Sequence, residues 1–236
     1  NSAIEFAHTE NSQKATINFN DFGVCDACTN AEIKNSDIDW KEREHQLKLL
    51  CKKFKSNNGS YDCLVPGSGG KDSFYASWML KYKYGMNPLT VTWAPNIYTD
   101  WGQKNFNSWI HSGMDNYLMT SSGRSKRLLT RLALENLFHP FQPFIIGQKA
   151  FAPKMALLMK IPLIFYGENE AEYGNPIEDN SKAQRAFDYF SSSNDKEIFI
   201  AGESISSLKS NFGLTQAELA PYLPENALAL KANGTE

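Results

Sequence analysis

Residues 66–73 read Pro-Gly-Ser-Gly-Gly-Lys-Asp-Ser, directly after the apolar run Tyr61-Asp62-Cys63-Leu64-Val65. A helical pattern from Phe74 to Tyr84 begins at once. A strand that empties into a glycine-rich turn and then a helix is the layout of an anion cradle. Glycine lets the backbone take positive φ and approach an oxyanion closely. The free N–H groups and the dipole of the helix start then favour negative charge. Spacing narrows the kind of cradle. A Walker A loop ends in Gly-Lys-Ser/Thr, and here Asp72 follows Lys71. A dinucleotide loop needs a glycine three residues after Gly69, where Asp72 stands. The plain structural alternative is a tight turn with Asp72 or Ser73 capping the helix.

The rest of the chain alternates in the same way. A helix is expected from about Ile38 to Phe54, with Trp40, Leu47, Leu50 and Phe54 on its apolar face. Strands are expected at 61–65, 89–93, 116–120 and 162–166, and helices at 74–84, 101–110, 126–137 and 154–160. The short run Phe144-Ile145-Ile146 is ambiguous, and is read as an apolar strand just before Gln148 and Lys149. Alternation of this kind implies right-handed crossovers and a parallel, doubly wound α/β sheet covered on both faces. Ligands in such sheets bind beyond the carboxyl ends of the strands. Segments 66–73, 93–100 and 167–174 fall there. The chain therefore divides into an N-terminal segment (1–56), an α/β domain (57–174) and a helical or mobile C-terminal appendage (175–236). Thr215 with Glu218 predicts a capping box inside that appendage.

Composition excludes several classes. No apolar stretch approaches the ~20 residues that cross a bilayer. The net charge of −2 lacks the basic footprint of a nucleic-acid binder. Four cysteines in 236 residues do not make a disulfide scaffold, so a cytoplasmic protein is expected. The chain starts at Asn1 without Met, as a fragment would.

The string Ser68-Gly69-Gly70-Lys71-Asp72-Ser73 resembles the PP-loop of the ATP pyrophosphatases. More specific strings are Thr90-Val91-Thr92-Trp93, Tyr98-Thr99-Asp100, Asn105-Phe106, His139-Pro140-Phe141-Gln142-Pro143-Phe144 and Tyr166-Gly167-Glu168-Asn169-Glu170-Ala171-Glu172-Tyr173-Gly174. Together they resemble the N-acetyl sugar amidotransferases of bacterial surface-polysaccharide and nonulosonate biosynthesis, over residues 18–180. That resemblance implies a PP-loop fold and ATP cleaved between its α and β phosphates with Mg²⁺. It also implies a substrate acetamido group on a sugar or nucleotide-linked sugar. The acetamido oxygen is adenylated, and ammonia from a partner glutaminase displaces AMP to leave an acetamidino group. Neither a nucleic acid nor a membrane is an implied partner.

Residue roles follow from the resemblance. Backbone N–H groups of Ser68, Gly69, Gly70 and Lys71 would hold phosphates, assisted by the Ser68 and Ser73 hydroxyls. Lys71 would charge-stabilise departing pyrophosphate or project to solvent. Asp72 would cap the helix or ligate Mg²⁺. Thr92 and Trp93 are the adenosine candidates, with core packing of Trp93 as the alternative. Gly167 would admit the nucleotide. Glu168 would bind Mg²⁺ or accept a proton from ammonia, beside Glu170 and Glu172 in an acidic cluster. Gln148 and Lys149 are substrate candidates. Cys25 and Cys28 resemble half of a zinc knuckle; the family carries a second such pair, which in a truncated chain would lie upstream of Asn1 and complete a structural Zn²⁺ site. Two other readings stay open: another PP-loop enzyme (a tRNA thiolase or a deazaguanine-nitrile synthase), or a silent nucleotide-binding partner protein.

Overall fold

A computed structural model describes residues 5–12, 18–168, 184, 190–192 and 197–236. Helix α1 (Asp26–Ser36) precedes α2 (Trp40–Phe54), whose first turn is capped by the Asp39 carboxylate accepting from the N–H groups of Lys41 and Glu42. Three parallel strands follow in the order β1 (Cys63–Pro66), β2 (Pro88–Trp93), β3 (Asn116–Met119). Between them run α3 (Lys71–Trp78), which continues as a π-helical stretch Met79–Lys83, and α4 (Asp100–Ile110). Helices α5 (Gly123–Leu137) and α6 (Gln142–Met159) come next.

The expected strand at 162–166 is a single parallel bridge, Leu64 to Ile164, on the free side of β1. Leu64 N–H donates to Leu163 O at 2.8 Å, and Phe165 N–H to Leu64 O at 2.8 Å. The chain therefore uses opposite sides of β1 for its first and its last parallel pairing. That reversal is the crevice where such sheets bind ligands. The architecture is mixed α/β with a parallel sheet, compatible with a Rossmann-like fold.

Both sheet faces are covered. Leu64, Leu89, Val91 and Trp93 pack against Leu129 and Leu132 of α5 and Ile146, Phe151 and Met155 of α6. On the other face Cys63 and Val65 meet Cys51, Leu80 and Leu163, with Leu47, Leu50 and Phe54 of α2 partly buried against them. Trp40, expected on that apolar face, is exposed, and its indole N–H donates to Lys34 O at 3.0 Å.

Helix α6 departs most from expectation. Its single span replaces the short strand at 144–146 and the later helix at 154–160. Pro143 sits in its first turn, where a missing N–H costs nothing. The run from Phe144 to Met159 is apolar nearly all round, which is what a buried helix requires. Pro153 within it obscured the pattern. Residues 197–236, expected as an appendage, place Leu208, Leu219 and Tyr222 in the main core at 0%, 0% and 1% exposure. The capping box at Thr215 and Glu218 is formed. Among the described residues no helix is long and apolar enough to cross a membrane.

Gly147 shows how tightly α6 seats on β2: a Cβ there would overlap the Trp93 indole. That ring is held by Phe151 at 6.0 Å and Tyr222 at 5.2 Å, and so has nowhere to move. Alanine would gain ~1 kcal/mol of helix propensity, but overpacking costs ~1–3 kcal/mol or more. Gly147→Ala is expected to lower unfolding free energy by about 2 kcal/mol, read as a lower urea midpoint. An unchanged midpoint would mean the α6–β2 contact is looser than described.

Candidate functional site

The glycine-rich loop is built from its neighbours. Gly67 N–H donates to Val91 O at 3.0 Å, which carries β1 to the sheet's carboxyl end. Gly69 takes φ +85°, and a Cβ on it would stand 2.7 Å from Asn105 O and 2.9 Å from Phe106 Cα. Only glycine has both that backbone and that closeness to α4. Gly70 then occupies the N-cap of α3 with φ −64° and ψ 161°, and offers no side chain to the first turn. Phe74 N–H closes the helix onto Gly70 O at 3.0 Å. Among the described residues no hydrogen bond reaches the N–H groups of Asp72 and Ser73. Two donors at a helix start, opposite a bare glycine loop, form an anion cradle.

Helix α4 holds the cradle from behind. Fully buried Trp109 donates through its indole N–H to Ser77 Oγ at 2.8 Å, and Ser77 Oγ donates to Ser73 O at 2.8 Å. The Ser73 hydroxyl is buried and donates to Gly70 O at 3.3 Å. Ser68 is exposed. Lys71 pairs with Asp72 at 2.7 Å, with side chains 87% and 51% exposed. An ion pair so open contributes little to stability.

Gly167 comes to the same place from the other side of β1. A Cβ there would lie 2.8 Å from Asp72 O and 2.9 Å from Ser73 Cα. Glu168, exposed, is the next residue. The structure thus brings together residues 67–73, 167 and 168, which the sequence holds about a hundred positions apart. Glu170 and Glu172 lie outside the described residues.

Other expected residues are placed elsewhere. Thr92 is buried, and its hydroxyl accepts from Asn116 Nδ2 at 3.1 Å. The Trp93 side chain is in the core, as above, so any adenosine contact falls to the chain beyond it. Gln148 and Lys149 do not follow a strand, as expected, but sit inside α6, where Gln148 is exposed and Lys149 is 6% exposed.

Among the described residues the four cysteines do not gather with further metal ligands. Cys25 precedes α1 and Cys28 lies in its first turn. The Cys28 backbone N–H and then the Cys28 thiol lower the Cys25 thiol below its ordinary range, and the same pairing raises Cys28. Cys51 and Cys63 are buried in the core, and burial pushes the Cys63 thiol far up. Tetrahedral zinc takes four ligands, and no cluster of three or more His, Cys, Asp or Glu occurs among the described residues. Two thiols alone do not fit zinc. The donor set at 67–73 does fit a polyphosphate. The Asp72 carboxylate is the group beside it that would reach a magnesium ion.

One site residue received no role from the sequence. Tyr98, on the loop after β2, buries its hydroxyl with no hydrogen-bond partner among the described residues. Its ring meets Phe106 at 6.1 Å, the residue that abuts Gly69. Burial raises its phenol above the ordinary range. The string Tyr98-Thr99-Asp100 was the available signal.

Comparison with known proteins adds little. No protein-family model matches the chain. The uncharacterized protein MJ1599 of Methanocaldococcus jannaschii is 30% identical over 84 residues, 36% of this chain. The match spans 29% of that relative's length, under a third.

An unsatisfied buried hydroxyl costs ~1–3 kcal/mol. Tyr98→Phe is therefore expected to stabilise the ligand-free protein by about 1 kcal/mol, measured as a higher thermal midpoint. A lower midpoint would show that the hydroxyl has a partner in solution.

Proposed function

We propose that this protein is an ATP-dependent amidotransferase of the PP-loop type. It converts the acetamido group of an N-acetyl sugar, free or nucleotide-linked, to an acetamidino group in surface-polysaccharide biosynthesis. The observation that carries the reading is the cradle: a glycine loop and an uncapped α3 start, closed by Gly167.

ATP supplies the phosphoryl electrophile at which the acetamido oxygen is activated; AMP is then the leaving group for ammonia. The chain's own residues bind and orient. Backbone N–H groups at Asp72 and Ser73 face the phosphates, and the helix dipole favours their charge. Lys71 would offer its charge to the departing pyrophosphate, and the Asp72 carboxylate beside it would hold Mg²⁺. Gly167 lets its strand end close onto the start of α3, and Glu168, the next residue, would take a proton from ammonia as it attacks. Ammonia comes from a partner glutaminase.

The test is product analysis. Wild type with ATP, Mg²⁺, ammonium and a panel of acetamido sugars is expected to release AMP and pyrophosphate only when a sugar is present. Gly69→Ala should cut that rate at least a hundredfold, roughly the ~2.7 kcal/mol or more expected when preorganised donors are displaced. AMP formation with tRNA and no sugar would favour the thiolase reading. ATP binding with no turnover would favour a silent partner protein.

A further inference from the structure

Two cavities of similar size lie on the described surface. One, of about 490 Å³, is lined by Gly59, Tyr61, Asn87, Asp115 and Lys160, all at the amino ends of the strands and away from the cradle. The other, of about 480 Å³, is lined by Gly69, Lys71, Phe74, Tyr75, Trp78 and Asn105. It shares Gly69 and Lys71 with the glycine-rich loop. Its size falls within the ~300–1,000 Å³ usual for small-molecule sites.

The lining is chemically distinctive. Tyr75 and Trp78 stand 64% and 43% exposed on consecutive turns of α3. Tyr82 extends the row, with its ring 5.5 Å from Trp78. Such aromatic surface left in water beside a polar cleft marks a binding face. Opposite it, the Asn105 amide can donate and accept, and the Lys71 ammonium can donate. A pyranose is built to match. Its ring C–H groups present an apolar face to an aromatic ring, while its edge carries hydroxyl and acetamido groups for the amide and ammonium.

We propose that this groove is the acceptor subsite, in which the pyranose ring of an acetamido sugar stacks on Tyr75 and Trp78 beside the phosphate cradle. The inference rests on the amidotransferase reading and adds the place where its acceptor binds. From there the acetamido oxygen would face Gly69 and Lys71, the residues the groove shares with the loop.

Calorimetric titration of the full chain with N-acetylglucosamine, UDP-N-acetylglucosamine and a non-hydrolysable ATP analogue tests it. Removal of one stacking ring typically costs about tenfold in affinity. Trp78→Ala and Tyr75→Ala are each expected to weaken sugar binding about tenfold and to leave the ATP analogue within twofold of wild type. Trp78→Phe should keep most of the sugar affinity, which separates stacking from misfolding. Wild-type sugar affinity in both alanine variants would overturn the groove assignment alone. Loss of the ATP analogue instead of the sugar would give the groove to the nucleobase and overturn it too. A wild type that binds the ATP analogue and neither sugar would overturn the acceptor reading and the subsite together.

Discussion

The backbone N–H groups that open α3 set the terms for everything near them. A helix start normally recruits a serine, threonine or carboxylate to satisfy those donors. Here the N-cap is Gly70, and the acidic residue that follows pairs with Lys71. Among the described residues nothing accepts from the Asp72 and Ser73 N–H groups. Keeping them so requires a loop without bulk, and two contacts show how strict that is: Gly69 lies on the backbone of α4, and Gly167 lies on the backbone of α3 itself. The same atoms that confer the binding potential leave no room for a side chain.

This local arrangement depends on layers further out. Helix α4 can press on the loop because Trp109 anchors it to Ser77 of α3. The β2 end stays in place because Trp93 is wedged among α6, Phe151 and Tyr222. Tyr222 belongs to the C-terminal region, so residues 197–236 support the sheet end that carries the crevice. The Tyr98 hydroxyl, buried next to the same loop with no partner among the described residues, is where packing has been compromised.

The parallel sheet, the loop and the helix after it were legible because each announces itself locally: an apolar run, a glycine cluster, a helical pattern from Phe74 onward. Strands β2 and β3 and helices α4 and α5 lie within three residues of their expected ends. Helix α6 was not legible, because Pro153 breaks the pattern of a helix that is apolar all round and has no amphipathic period to read. Misreading it put Gln148 and Lys149 at a strand end. The role of the C-terminal region was hidden for another reason: its helices are short, and their buried leucines acquire meaning only against α6. In the site, Gly167 was expected from its place at a strand end, whereas Tyr98 and Asn105 stood in quoted strings without a role, which only their tertiary neighbours Phe106 and Gly69 supply.

The central claim is that amides at the head of α3 are donors awaiting a phosphate. Amide ¹⁵N–¹H shifts recorded during titration with inorganic pyrophosphate test it most directly. The account predicts saturable shifts concentrated at residues 68–73 and at Gly167. Shifts confined to surface lysines, with residues 69–73 unmoved at saturation, would contradict it.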